Sequence, residues 1–131
     1  PGLHTVRYTA NPGEFKPLHS SSIGKALLGS LPAEALAGWL RAHRLPAVTS
    51  RTLVDPERLR ADLARGHRRG YHMTEGENVS DVTALAVSLS VHGETLGLAI
   101  AGPTHRMGEQ VEEHAAHLLE ARRTIEKIFE R

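Results

Sequence analysis

The sequence VTALAVSLSVHGETLGLAIA, residues 82–101, predicts a β-hairpin and decides the fold class. Side chains alternate with a period of two through both halves, and His92-Gly93 lies between them as a tight turn. One face carries branched side chains, which we expect to pack on a terminal helix. The other face carries alanine, glycine and serine, and close-packed interiors do not leave such volume empty. Either a helix lying tight against the sheet or a ligand cavity would fill it.

The remaining sequence predicts one further strand and four helices. Helix starts and stops are marked by capping residues, prolines and glycines, and the helices carry apolar stripes. The predicted elements are a strand at residues 3–9, a serine-capped helix ending near Gly29, a helix from Pro32 to the break at Leu45-Pro46, a helix from Asp55 to Gly70, and a helix from about Gly108 to the end.

The length of the chain indicates one domain, and its net charge indicates that this domain does not itself bind duplex DNA. The chain has 131 residues, and 16 Lys and Arg against 15 Asp and Glu give a formal net charge of +1. Residues 41–69 are locally basic, with arginines outnumbering acids. Because no aromatic side chains alternate with these arginines, a solvated helix face is favoured over a phosphate-binding surface.

Cysteine usage and hydropathy indicate the cellular compartment. The absence of cysteine excludes disulfides, thiolate metal sites and a thiol nucleophile, as is typical of a reducing cytoplasm. No apolar run is long enough to cross a bilayer, and no export leader follows Pro1. We therefore expect a cytoplasmic protein with no membrane partner.

No motif indicates an enzyme, a metal site or a cofactor. The nine histidines form no HExxH motif, and solvent-facing histidines are favoured over a zinc site. No nucleophile elbow or glycine-rich phosphate loop is present. Glu75 and Glu77 could form an acid pair, but exposed turn charges are the favoured interpretation. We expect no catalytic residues.

The sequence FKPLHSSSIGKALL, residues 15–28, predicts a helix N-terminus that could receive an anion. Three serines supply capping hydroxyls, and the amides of the first turn lack intrahelical partners. An ordinary capped helix that binds no anion also explains the local pattern, and on that pattern alone it is the favoured interpretation. For Lys25, two roles remain open: attraction of anions, and a solvated or interface position.

Four short motifs, in order, resemble the effector-binding domain of the IclR (isocitrate lyase regulator) family of bacterial transcription factors. They are Pro17-Leu18-His19, Gly24-Lys25-Ala26-Leu27-Leu28, Gly70-Tyr71 followed by Glu77, and Ala101-Gly102-Pro103. The resemblance implies an α+β, GAF-like fold: a curved antiparallel sheet with flanking helices and a small-molecule pocket on its concave side. It covers residues 1–131 as one domain and implies that the first helix and early strands of the usual domain are missing.

The resemblance also implies the partners. Family members bind DNA through a separate N-terminal winged helix-turn-helix domain, which is absent from this sequence, and assemble as homodimers or tetramers. The effector is a small organic acid.

The family pocket maps onto two places. One is the N-terminus of the serine-capped helix, at Ser22 and Ile23, which we call the helix mouth; the other is the small-residue face of the predicted strands. The amides of Ser22 and Ile23 would bind a carboxylate, and the hydroxyl of Thr74 would orient it. Because Ala99 and Ala101 offer no hydrogen bonds, we predict an aromatic or branched acid, larger and more apolar than glyoxylate or pyruvate. The complete predicted set is Ser22, Ile23, Thr74, Val82, Ala84, Ala99 and Ala101, with Tyr8 or Met73 as apolar walls. The alternative is an oligomerisation or protein-interaction module with a vestigial pocket.

Overall fold

The computed structural model describes residues 17–130, which form a three-stranded antiparallel sheet with flanking helices. The predicted α+β class is confirmed, whereas the predicted strand at residues 3–9, including Tyr8, lies outside the described residues. The elements are α1 (Ser22–Gly29), α2 (Ala33–Ala42), α3 (Pro56–Arg69), β1 (His72–Glu75), β2 (Val82–Val91), β3 (Glu94–Pro103), α4 (Thr104–Met107) and α5 (Val111–Ile128).

The predicted hairpin is strands β2 and β3. The two strands pair in register from Val82 opposite Pro103 to Val91 opposite Glu94. Positive φ angles at His92 (51°) and Gly93 (79°) form the two-residue connection, the geometry that matches the twist of antiparallel strands. Strand β1 pairs with the other edge of β2, which gives the strand order β1-β2-β3.

Capping residues set the ends of the third helix as predicted. The Arg58 N–H donates to Asp55 Oδ2 at 3.2 Å, and Pro56 occupies the first helical position. Gly70 ends α3 with φ of 94°, a conformation that other residues rarely adopt. The short helix α4 was not predicted, and α5 begins at Val111, slightly after the predicted start.

The branched face of the sheet packs against α5, as predicted, and we call it the α5 face. Leu85 and Val87 from β2 contact Ala115 and Leu118 from α5 in one apolar cluster. Leu85 is completely buried. A second apolar cluster joins α1, α2 and α3 through Leu28, Leu40, Leu45, Leu59 and Leu63.

The opposite face, here called the small-residue face, is partly covered by α1. A Cβ atom on Gly97 of β3 would lie 2.6 Å from Ile23 Cγ2, and a Cβ atom on Gly29 would lie 2.7 Å from the His72 ring on β1. Helix α1 therefore crosses the sheet from β3 to β1. Close approach of a helix, one of the two explanations for the small side chains, holds along this crossing.

The locally basic segment of the sequence lies at the surface of the protein. All eight arginines from Arg41 to Arg69 are exposed, as expected of a solvated face. Within residues 17–130, no helix combines the length and the apolar character needed to cross a membrane.

Candidate functional site

The first turn of α1 is capped by Ser21. The Gly24 N–H donates to Ser21 Oγ at 3.0 Å, and the Lys25 N–H donates to the Ser21 carbonyl at 2.9 Å. Ser22 and Ile23 are the first two helical residues, so helix geometry gives their N–H groups no intrahelical acceptor. The favoured interpretation as a capped helix is thus confirmed. Anion binding by the two amides at the positive end of the helix stays a prediction.

Register places five of the predicted site residues on the small-residue face. Thr74, Ala84 and Ala101 form one row across the three strands. Ala99 belongs to the next row, and Val82 precedes Ala84 on the same face by the period of two. Ala86, under the α1 crossing, is fully buried, whereas Ala84, Ala99 and Ala101 are partly exposed. Part of this face is therefore covered by α1, and part lies beyond the helix.

The structure does not bring Met73 to this group. Met73 pairs with Leu85 and packs against the apolar cluster of the α5 face. Successive side chains of a strand point to opposite faces, so Met73 and its neighbour Thr74 cannot line one pocket. Met73 is removed from the predicted site. Tyr8, the alternative wall, lies outside the described residues.

Lys25 occupies a position that differs from both sequence-based roles. Its side chain is fully buried, and its ammonium contacts Glu77 Oε1 at 2.7 Å and Asp62 Oδ2 at 2.8 Å. It also donates to the Met73 carbonyl at 3.0 Å. Lys25 is therefore an internal ion-pair partner that joins α1 to α3 and to strand β1 and the loop after it, rather than a solvated residue or an anion attractant.

The loop after β1 supplies Glu77, one of the two carboxylates that pair with Lys25. Glu75 is exposed, as the interpretation as a turn charge requires, but the side chain of Glu77 is only 12% exposed. Glu77 Oε2 also accepts the Glu75 N–H at 3.1 Å. The interpretation of Glu77 as an exposed turn charge is wrong, because the buried ammonium of Lys25 supplies a counter-charge.

His72 lies between two helices, in contact with a glycine from each. A Cβ atom on Gly66 of α3 would lie 2.2 Å from His72 Nδ1, and Gly29 of α1 approaches the ring from the other side. Within the described part of the chain, Nδ1 has no hydrogen-bond partner. Only glycine leaves room for the imidazole at both positions.

Burial is the main cause that lowers the pKa of His72 from 6.5 to about 4. Asp62 opposes the shift, and the positive charges of Arg69, Lys25 and His67 add to it. The imidazole is therefore neutral at pH 7.

A second histidine is also internal. His19 Nε2 lies 2.8 Å from the Pro46 carbonyl, and the side chain is 1% exposed. The expectation of solvent-facing histidines is wrong for His19 and His72. Between residues 17 and 130, no group of three or more His, Asp or Glu is arranged to hold a metal ion.

A cleft at the start of α3 is separate from the small-residue face. It encloses about 320 Å³ and is lined by Thr52, Leu53, Val54, Asp55 and Arg58. None of the predicted site residues that the structure describes lines it, and its charged lining residues, Asp55 and Arg58, are exposed. The α1 mouth and the small-residue face remain the candidate site.

The family model described as "Bacterial transcriptional regulator IclR C-terminal" matches residues 2–127. The transcriptional repressor IclR of Escherichia coli K12 is 33% identical over 125 residues, which is 93% of this chain and 46% of the repressor. The chain thus spans about half the length of this curated relative, which is a transcriptional repressor and not an enzyme.

Two solved structures show the same fold. A candidate IclR transcriptional regulator from Silicibacter sp. TM1040 superposes with a TM-score of 0.83 at 26% identity, covering 98% of this chain and 51% of that one. An IclR homologue from Microbacterium hydrocarbonoxydans, solved in complex with 4-hydroxybenzoate, gives a TM-score of 0.68 at 28% identity, covering 93% and 52%. The family match over nearly the whole chain and the shared fold together show that this chain belongs to the IclR family of bacterial transcriptional regulators, at the C-terminal domain.

Proposed function

We propose that residues 1–131 form one ligand-sensing domain of a DNA-binding regulator and bind a small organic carboxylate larger and more apolar than glyoxylate or pyruvate. The observation that carries the proposal is that α1 begins with two amides that have no acceptor among residues 17–130, beside a partly exposed face of alanines. DNA contact belongs to a separate domain of the same regulator, and the chemistry of the effector is unchanged by binding.

The carboxylate contact rests on Ser22 and Ile23. Their N–H groups lie at the positive end of α1, where an anion gains both hydrogen bonds and a favourable interaction with the helix dipole. Thr74 is buried on the same face as Ala84 and offers a hydroxyl that would orient the ligand. The Lys25 ammonium takes no part, since its three protons already have acceptors.

The apolar part of the ligand rests on the alanines. Ala84, Ala99 and Ala101 offer no hydrogen-bonding side chains, so the oxygens of a short keto acid would remain unpaired there. An aromatic or branched acid avoids this loss. The relative solved with 4-hydroxybenzoate supports an aromatic acid as the first compound to test.

The response to the ligand is a shift between arrangements of a homodimer or tetramer. An effector that binds one arrangement more tightly favours that arrangement, and each tenfold preference corresponds to about 1.4 kcal/mol of coupling to DNA binding. Such a regulator acts in the cytoplasm, where its DNA is.

One observation favours a second candidate function. Ile23 fills the space above Gly97, and α1 covers Ala86, so packing occupies part of the face that a ligand would use. An oligomerisation or protein-interaction module with a vestigial pocket would have this feature as well.

Binding of 4-hydroxybenzoate and of its neutral analogue 4-hydroxybenzamide separates the two candidates. We expect the acid to raise the melting temperature of the chain by several degrees at a hundredfold excess over Kd, equivalent to about 2.7 kcal/mol, and the amide to raise it far less. Ala99→Leu should abolish the rise by filling the site. If neither this acid nor branched-chain keto acids raise the melting temperature, the sensing function is contradicted and the interaction module is favoured.

A further inference from the structure

Every proton of the Lys25 ammonium is used inside the protein. Nζ donates to the Met73 carbonyl at 3.0 Å and contacts Glu77 Oε1 at 2.7 Å and Asp62 Oδ2 at 2.8 Å. A lysine ammonium has three N–H donors. None is left for a ligand, so any role of Lys25 in binding must be indirect.

The two carboxylates are themselves held from a second side. Glu77 Oε2 accepts the Glu75 N–H at 3.1 Å, and Asp62 Oδ1 accepts from Arg65 Nη2 at 3.2 Å. The Arg65 side chain is 55% exposed, while the Asp62 side chain is 15% exposed. The cluster of Lys25, Asp62, Glu77 and Arg65 therefore balances two positive and two negative charges.

Lys25 lies at the end of the first turn of α1, and its side chain bonds this turn to other elements. The Lys25 N–H closes the first backbone hydrogen bond of the helix, to the Ser21 carbonyl, one residue after Gly24, whose N–H is capped by the Ser21 side chain. A cation in the first turn opposes the helix dipole, so helix stability does not account for this residue. Carboxylates from α3 and from the loop after β1 offset that cost and tie the turn to both elements.

We propose that Lys25 is a positioning residue for the carboxylate site. Its ion pairs hold the first turn of α1 against α3 and β1, so that the Ser22 and Ile23 amides keep one direction relative to the sheet. Lys25 does not contact the effector. This inference rests on the function proposed above.

Conservative changes to the partners of Lys25 test the inference. In Asp62→Asn and Glu77→Gln, the Lys25 side chain stays in place but one ion pair is lost. We expect the Kd for 4-hydroxybenzoate to rise about tenfold, while the Kd for 4-hydroxybenzamide, which gains little from the helix mouth, stays within twofold. The matched control is Arg60→Gln, an exposed position on α3 outside the cluster, which leaves all three acceptors of Lys25 intact and should change neither Kd by more than twofold.

The direction of the change separates three explanations. If Lys25 contacted the effector, removing a competing carboxylate would strengthen acid binding, and that result overturns the proposal. If the ion pairs served only global stability, the folded variants would bind the acid with the original Kd, and that result also overturns it. If the Lys25→Met variant folds, we expect it to raise the Kd for the acid more than either partner variant does. Removing the ammonium leaves both buried carboxylates without a counter-charge.

A second measurement keeps the test independent of the ligand. If the unsubstituted chain does not distinguish the acid from the amide, the proposed function fails, and hydrogen exchange then decides whether Lys25 orders the helix mouth. We expect the Gly24 and Lys25 amides to exchange at least tenfold faster in Asp62→Asn, with Leu118 in α5 unchanged. Equal exchange in both proteins overturns the positioning role.

Discussion

The two faces of the sheet are built from the same strands but are covered in different ways. The α5 face presents Leu85 and Val87 to α5 in an apolar cluster that Met107 from α4 also joins. Its polar contacts include a hydrogen bond between the Thr83 and Thr104 hydroxyls. The small-residue face meets two helices, α1 and α3, through glycine contacts to His72 and the buried ion pairs of Lys25. Apolar side chains thus supply stability on one side, while space and buried charge are concentrated on the side that carries the candidate site.

The largest expected effect concerns the α5 face. Leu85→Ala removes a completely buried side chain from the centre of that face, and we expect a loss of about 3 kcal/mol in the free energy of unfolding. Urea denaturation measures this loss. At temperatures where the variant is folded, its preference for acid over amide should persist. If the folded Leu85→Ala variant no longer preferred the acid over the amide, the separation of stability and ligand binding between the two faces would be contradicted.

Acidification should destabilise the small-residue face through His72. Burial lowers the pKa of the folded imidazole to about 4, so the unfolded chain takes up the proton first as the pH falls below 6.5. The contribution is present in full above pH 6.5 and is lost as the pH falls toward 4, about 3 kcal/mol in all.

The comparison of His72→Asn with the unsubstituted chain isolates this contribution from that of the carboxylates. Denaturation between pH 4 and pH 7 should show a shallower dependence of stability on pH in the variant. The exposed His105, changed to Asn, is the matched control and should leave the dependence as it is. If stability depended on pH equally in His72→Asn and in the unsubstituted chain, burial would not be lowering the pKa of the His72 imidazole.

A smaller effect is expected where α1 approaches β3. In Gly97→Ala the new Cβ atom would lie 2.6 Å from Ile23 Cγ2, and we expect a cost of about 1 kcal/mol. Because Ile23 is partly exposed, Ile23→Ala in the same chain should recover most of the loss. Additive losses in a double-mutant cycle would mean that the helix does not rest on Gly97.

Local patterns predicted the backbone of this domain well because their causes are local. Asp55, Pro56 and Gly70 mark the ends of α3 by their own conformational preferences, and the period of two from residue 82 onward specifies both faces of the hairpin. The same period would have excluded Met73 from a pocket that contains Thr74, so that error was avoidable.

The internal polar contacts could not be predicted in the same way. Lys25 is paired by Asp62 and Glu77, which are distant in sequence, and nothing in the segment around Lys25 identifies them. His72 is similar, because Gly29 and Gly66 meet its ring only once α1 and α3 are packed. The glycines were a usable signal for close helix contacts, but they did not indicate which side chain would occupy the space.

The most direct test of the carboxylate site removes one amide without changing the helix. Proline is favoured at the first helical position, and Ser21 before it is already extended, with φ of −103° and ψ of 150°. Ser22→Pro therefore deletes one N–H donor from the helix mouth. Ala33→Pro, at the first position of α2, is the matched control because Pro32 before it is also extended.

We would measure the Kd of 4-hydroxybenzoate and of 4-hydroxybenzamide for the two variants and the unsubstituted chain. We expect Ser22→Pro to weaken acid binding about tenfold, equivalent to about 1.4 kcal/mol, and to leave amide binding unchanged, while Ala33→Pro has no effect. Acid binding of undiminished strength in a folded Ser22→Pro variant would contradict the proposed site, because the carboxylate would then not lie at the start of α1.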